Sequence, residues 1–150
     1  MEFTTMNEIL DFAIGKEEEA FNFYYKIAEA VKFPYMRQIF IDFAKQEEGH
    51  KTKLLQVKHG KIELPSDKAI RDLKIGDHLV DISITPDLSY QEALIVAMKA
   101  EKNAYVMYTN LANATNDPAL KALLQGLAAE EAGHKLRFEM EYDDQFMGQN

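Results

Sequence analysis

Apolar residues in the first sixty positions recur every three or four places. Leu10, Ala13, Ile14, Ala20, Phe21, Tyr24, Ile27, Ala28 and Val31 trace one stripe, and Met36, Ile39, Phe40, Phe43, Ala44, Leu54 and Val57 trace a second. That is the period of an amphipathic helix, not the alternation of a strand. The same pattern returns later. Leu94, Ala97, Met98, Ala104, Tyr105, Tyr108, Leu111 and Ala112 form a third stripe, and Leu120, Leu123, Leu124, Leu127, Ala128 and Phe138 a fourth. Thr5-x-x-Glu8 and Ser89-x-x-Glu92 read as capping boxes that start the first and third helices. Pro34 and Pro118 suit the first turn of the second and fourth. The pattern predicts two antiparallel helical hairpins with short links near 32–34 and 116–118.

The hairpins are copies of one another. Residues 5–54 laid on 89–138 without a gap, a shift of 84 positions, match identically at fourteen places. Among these are Glu17/Glu101, Tyr24/Tyr108, Pro34/Pro118, Glu47/Glu131, Gly49/Gly133 and His50/His134. Shared Ala/Glu-rich composition would not align proline, glycine and histidine together, so the repeat reads as a duplication. Residues 60–88 break the pattern with Gly60, Pro65, Gly76 and Pro86, and carry a small apolar run at 79–84. A short helix near 66–73 is expected. Extended, this segment spans up to roughly 90 Å, more than the ~39 Å of a 26-residue helix. It can therefore act as one long crossover, giving an all-α, ferritin-like four-helix bundle of two pseudo-two-fold-related hairpins. A single domain over 1–150 is expected.

Six polar residues sit inside the apolar stripes. Glu17 falls between Ala13/Ile14 and Ala20/Phe21, and Glu101 between Ala97/Met98 and Ala104/Tyr105. Glu47-x-x-His50 and Glu131-x-x-His134 continue the stripes of the other two helices, an i, i+3 spacing that sets a carboxylate beside an imidazole. Counted from the turns, all six lie at one depth, about 24 Å along the helices at 1.5 Å per residue. Four buried carboxylates need neutralising. Two divalent cations would do so, and a set rich in oxygen with two imidazoles suits iron or manganese better than structural zinc. One Glu from each of two helices and Glu-x-x-His from each of the others is the ligand set of di-iron and di-manganese bundles. The expected metal residues are therefore Glu17, Glu47, His50, Glu101, Glu131 and His134. By symmetry the two positions should have near-equivalent coordination. Buried Glu–His hydrogen bonds without metal are the competing reading.

Other residues are secondary. Tyr24 and Tyr108 either hydrogen-bond the ligands or fill the core. Glu130 competes with Glu131 for a place beside His134, and the repeat favours Glu131. Glu18, Glu19 and Glu48 should face solvent, as should His59 and His78.

Composition narrows the function. The net charge of −8 and pI near 5.0 argue against nucleic acid. With no cysteine, these residues can build neither a disulfide framework nor a thiolate-bound iron module. The beginning, Met1-Glu2-Phe3-Thr4-Thr5, does not read as a signal peptide, and no apolar run approaches a membrane span. The expected location is the cytoplasm.

Gly15-Lys16-Glu17-Glu18-Glu19-Ala20, Ala44-Lys45-Gln46-Glu47-Glu48-Gly49-His50 and Ala128-Ala129-Glu130-Glu131-Ala132-Gly133-His134 resemble the rubrerythrin branch of the ferritin-like superfamily. The resemblance implies a di-iron centre at those residues, with manganese or zinc as substitutes, and peroxide reduction or ferroxidase chemistry. It departs in two ways. These residues hold no cysteine for the rubredoxin-type iron of typical rubrerythrins, so an external electron-donor protein is expected. The family's further Glu, three residues after Glu101, is Ala104 here. The implied function is a di-iron oxidoreductase reacting with peroxide or dioxygen. The alternatives are a ferroxidase that sequesters iron, or a di-iron oxygenase. A homodimer or larger homo-oligomer is expected.

Overall fold

The computed structural model describes residues 2–82, 84–85 and 87–148. Ser83 in the apolar run, Pro86 in the crossover, Met1 and Asn150 lie outside the described residues. Four long helices dominate: α1 (Met6–Ala30), α2 (Pro34–His59), α4 (Tyr90–Ala114) and α5 (Pro118–Phe146). Between α2 and α4 lie a short α3 (Asp67–Leu73) and a 3₁₀ turn (Ile75–His78). No strand occurs among the described residues. This is the all-α, ferritin-like bundle that the apolar period predicts.

Both expected capping boxes form. Thr5 Oγ1 accepts from Glu8 N at 3.1 Å while Thr5 N donates to the Glu8 carboxylate at 2.9 Å. At the start of α4, Ser89 and Glu92 make the same reciprocal pair, both bonds at 3.1 Å. Each satisfies two of the amides that a helix N-terminus leaves without partners. The prolines open α2 and α5, and residues 31–33 and 115–117 make the tight turns. Asp117 adds a cap to α5, accepting from Ala119 N and Leu120 N. The equivalent Phe33 has no side-chain cap.

The crossover is anchored along its course. Ser66 caps α3, Ile70 and Ile75 are fully buried, and Lys74 joins the two pieces in the left-handed region at φ 49°. Asp67 accepts from Met6 N at 2.9 Å, tying α3 to the start of α1. Farther on, Asn103 of α4 grips Val80 with two hydrogen bonds, 2.9 Å from Val80 N and 2.7 Å to Val80 O.

Two apolar clusters fill the bundle. One gathers Met6, Leu10, Ala13, Leu54, Met107, Tyr108, Leu124 and Leu127 with Ile70 and Ile75. The other gathers Phe23, Tyr24, Met36, Phe40, Ala44, Leu94, Ala97 and Phe138. Along α1, Glu17 separates Ala13 of the first cluster from Phe23 of the second, and each long helix places a glutamate at the same divide. Some stripe residues are displaced. Tyr105 is 40% exposed, whereas Phe23 and Met107, which fall outside the stripes, are buried.

Candidate metal centre

All six predicted residues meet at that divide. Glu17, Glu47, His50, Glu101, Glu131 and His134 are each no more than 3% exposed. Their facing atoms form two overlapping groups, Glu17–Glu47–His50–Glu131 and Glu47–Glu101–Glu131–His134, with all ligand atoms of a group within 4.8 Å of one another. Glu47 and Glu131 belong to both. His50 Nδ1 lies 3.2 Å from Glu131 Oε1, 3.6 Å from Glu17 Oε2 and 3.8 Å from Glu47 Oε1. His134 Nδ1 lies 2.9 Å from Glu47 Oε1, 3.7 Å from Glu131 Oε1 and 3.8 Å from Glu101 Oε2.

These atoms are close, yet none makes a hydrogen bond. Glu17 Oε2, Glu47 Oε1, His50 Nδ1, Glu101 Oε2, Glu131 Oε1 and His134 Nδ1 are buried and without hydrogen-bond partners. One such orphan is costly, on the order of 1–3 kcal/mol and more for a charged group. Six converging on one place, one per predicted residue, is the signature of a missing partner that accepts lone pairs. A pair of divalent cations would supply it: the donor set fits two metal ions, and Glu47 and Glu131 belong to both groups. The competing reading, buried Glu–His hydrogen bonding, leaves these six atoms unexplained.

The electrostatics agree. Burial pushes the Glu47 and Glu131 carboxyls well above the ordinary carboxylate range, and Glu101 and Glu17 push in the same direction. For His50, burial alone would lower the pKa. The negative charge of Glu17 and Glu47 close to the ring, with the hydrogen bond to Glu130, outweighs it and raises the value to about 9. In the absence of metal the site therefore holds protons where cations would otherwise sit.

Hydrogen bonds from the opposite hairpin hold the candidate ligands. The Tyr24 hydroxyl on α1 donates to Glu101 Oε1 on α4, and Tyr108 on α4 donates to Glu17 Oε1 at 2.5 Å. Both phenols are fully buried, and burial followed by the adjacent carboxylate drives their pKa upward, so they remain donors. Of the two roles open to these tyrosines, core filling and ligand bonding, the structure gives them both. Behind the histidines, His50 Nε2 pairs with Glu130 Oε2 and His134 Nε2 with Gln46 Oε1 at 2.5 Å. Glu130 thus does not take the place of Glu131; it bonds the other hairpin's histidine from outside. Gln46 was not legible as part of the site. Its signal was its equivalence with Glu130 in the repeat. Glu18, Glu19, Glu48, His59 and His78 are exposed, outside the centre.

A cavity of about 70 Å³ reaches the carboxylates from the side of α1 and α4. Glu17, Glu47, Glu101 and Glu131 border it with both tyrosines, and neither histidine does. Ala20, Phe23, Ala104 and Met107 line it, as do the crossover residues Leu79, Val80, Asp81, Ile82 and Ile84.

With this geometry in place, the comparison with known families is decisive: the rubrerythrin family model matches residues 8–142, nearly the whole chain. The chain belongs to the rubrerythrin family. Comparison with curated proteins and with solved structures gives no match. Among the described residues, no helix of this family member is long and apolar enough to cross a membrane.

Proposed function

We propose that this rubrerythrin-family chain is a di-iron oxidoreductase that reacts with peroxide or dioxygen, using electrons from an external donor protein. The observation that carries the reading is the set of six orphaned, buried ligand atoms beside a small cavity. Glu17 and His50 would hold one iron, Glu101 and His134 the other, with Glu47 and Glu131 shared. Two divalent ions balance four ionised carboxylates with neutral histidines. When bound, iron supplies one-electron redox chemistry and a Lewis-acid surface for an oxygen-containing substrate. The protein's part is to orient the carboxylates through Tyr24 and Tyr108, to keep bulk water out, and to hold the protons that metal displaces. An oxygen-rich set favours iron or manganese over structural zinc.

The cavity favours a small oxidant over the oxygenase alternative. At about 70 Å³ it accommodates a few heavy atoms, and a substrate to be hydroxylated would need more room. Iron storage would need a closed shell of many copies, and a homodimer would suffice for the redox reading.

The test is metal analysis followed by stopped-flow oxidation of the ferrous protein. Two metal ions per chain and rapid oxidation by hydrogen peroxide or oxygen are expected. A folded protein that takes up no divalent metal would refute the site. Iron that binds and reacts with neither oxidant would refute the activity. A large multi-subunit shell in solution would favour sequestration instead.

A further inference from the structure

Positions 46 and 130 are equivalents in the repeat, 84 residues apart, yet one is glutamine and the other glutamate. Each stands behind a histidine of the opposite hairpin. We propose that the two metal positions are unequal, the one held by Glu17 and His50 binding first and more tightly, because Glu130 backs His50 with a carboxylate while Gln46 backs His134 with a neutral amide. This rests on the reading of the six residues as a two-metal site.

Both histidines turn Nδ1 toward the carboxylates and Nε2 outward. A metal on Nδ1 leaves the ring proton on Nε2, so Nε2–H must be the donor in each outer bond. For His134 the acceptor is Gln46 Oε1 at 2.5 Å. For His50 it is Glu130 Oε2, a charge-assisted bond and the stronger type. A carboxylate draws the Nε2 proton toward itself and leaves more electron density on Nδ1, which makes the ring a better ligand. Its negative charge also lies nearer the His50 cation than the His134 cation. Inside this layer the halves match. Each position has its own glutamate, its own tyrosine bond and the same two shared carboxylates. The difference therefore sits at positions 46 and 130.

An outer partner of a metal-bound histidine is worth about 10–100-fold in affinity. The Glu130 side chain is 47% exposed, so water screens it, and the lower end, about tenfold, is expected.

The experiment is calorimetric titration of metal-free protein with cobalt(II) at pH 9, where proton competition for the imidazoles no longer masks the difference in ligand strength. The wild type should bind two ions in steps about tenfold apart. Glu130→Gln should weaken the tighter step about tenfold, and Gln46→Glu should strengthen the weaker one about tenfold. Each variant then shows two equal steps, with the product of the constants shifted in opposite directions. Both substitutions are isosteric and lie at exposed positions, so they leave the fold intact, and a gain of affinity in Gln46→Glu is not something a merely structural role would give. Two ions bound in equal steps by the wild type, or a Glu130→Gln variant with unchanged constants, would overturn the inference while leaving the two-metal reading standing. No cobalt bound by any of the three proteins would overturn both.

Discussion

Metal binding to this protein should expel protons, and the amount can be worked from the site. His50 has its pKa raised from 6.5 to about 9 by Glu17, Glu47 and Glu130 against the opposing effect of burial. At pH 7, two units below that value, only about one molecule in a hundred has the ring neutral, each unit being a factor of ten. A cation on Nδ1 therefore meets a cost of about 3 kcal/mol at pH 7, and apparent affinity should rise about tenfold per pH unit up to pH 9. The Glu47 and Glu131 carboxyls, shifted upward by burial and by their neighbours, add to the release and steepen the slope. The same shifts fix the stability of the metal-free protein. His50's raised pKa contributes stability that is complete below pH 6.5 and is lost as pH rises through 9. The raised carboxyls act in the same direction, since above the ordinary carboxylate range the fold must confine charges that the unfolded chain exposes to water. The metal-free melting temperature should fall between pH 6.5 and 9, and the rise on adding metal should widen. Calorimetry in two buffers of different ionisation enthalpy counts the protons. Binding of two ions with no proton release at pH 7, together with an affinity flat from pH 6.5 to 9, would refute the reasoning.

Tyr24→Phe and Tyr108→Phe each remove one bond to a ligand carboxylate. Each should lower metal affinity about 10–100-fold and by similar amounts, read by chelator competition. Thr5→Ala and Ser89→Ala each break a capping box and should each cost about 1 kcal/mol in denaturant unfolding, adding independently. Ala104 borders the cavity, so Ala104→Glu should place a seventh carboxylate beside the metals and raise the rate of oxidation by peroxide relative to oxygen. An unchanged ratio in stopped-flow traces would count against that.

The helices and the convergence of the six residues were legible because they rest on periodic signals. Capping boxes and prolines mark helix ends by local chemistry, and a glutamate in the middle of an apolar stripe stands out against it. The equality of depth of Glu17, Glu47 and His50 follows from counting along helices of fixed rise. What could not be read is which half touches which. The repeat pairs Tyr24 with Tyr108 as equivalents, and only the packing of α1 beside α4 shows that each phenol bonds the glutamate of the other. Position 130 is one residue off the stripe, so its contact with His50 depends on how two helices face each other. Phe23 and Met107 were missed together because they too are repeat equivalents. Both border the cavity, which buries a wider arc of α1 and α4 than a single stripe. Tyr105 lies on the other side of that arc and stays exposed. Glu141, buried and bonded by Tyr90, gave no signal because it lies beyond the repeated segment.

Every supporting bond at the centre crosses from one hairpin to the other: Tyr24 to Glu101, Tyr108 to Glu17, His50 to Glu130, His134 to Gln46. If position i of one half meets j of the other, then j meets i, which is the rule of a two-fold homodimer interface. An ancestral hairpin could therefore have assembled the whole centre by pairing with a second copy of itself, before any crossover joined the two. A lone hairpin would lack all four of these bonds, because each needs the opposite copy. Fusion then freed the two copies to diverge, and the glutamine at 46 opposite the glutamate at 130 is a difference that no symmetric dimer could have carried.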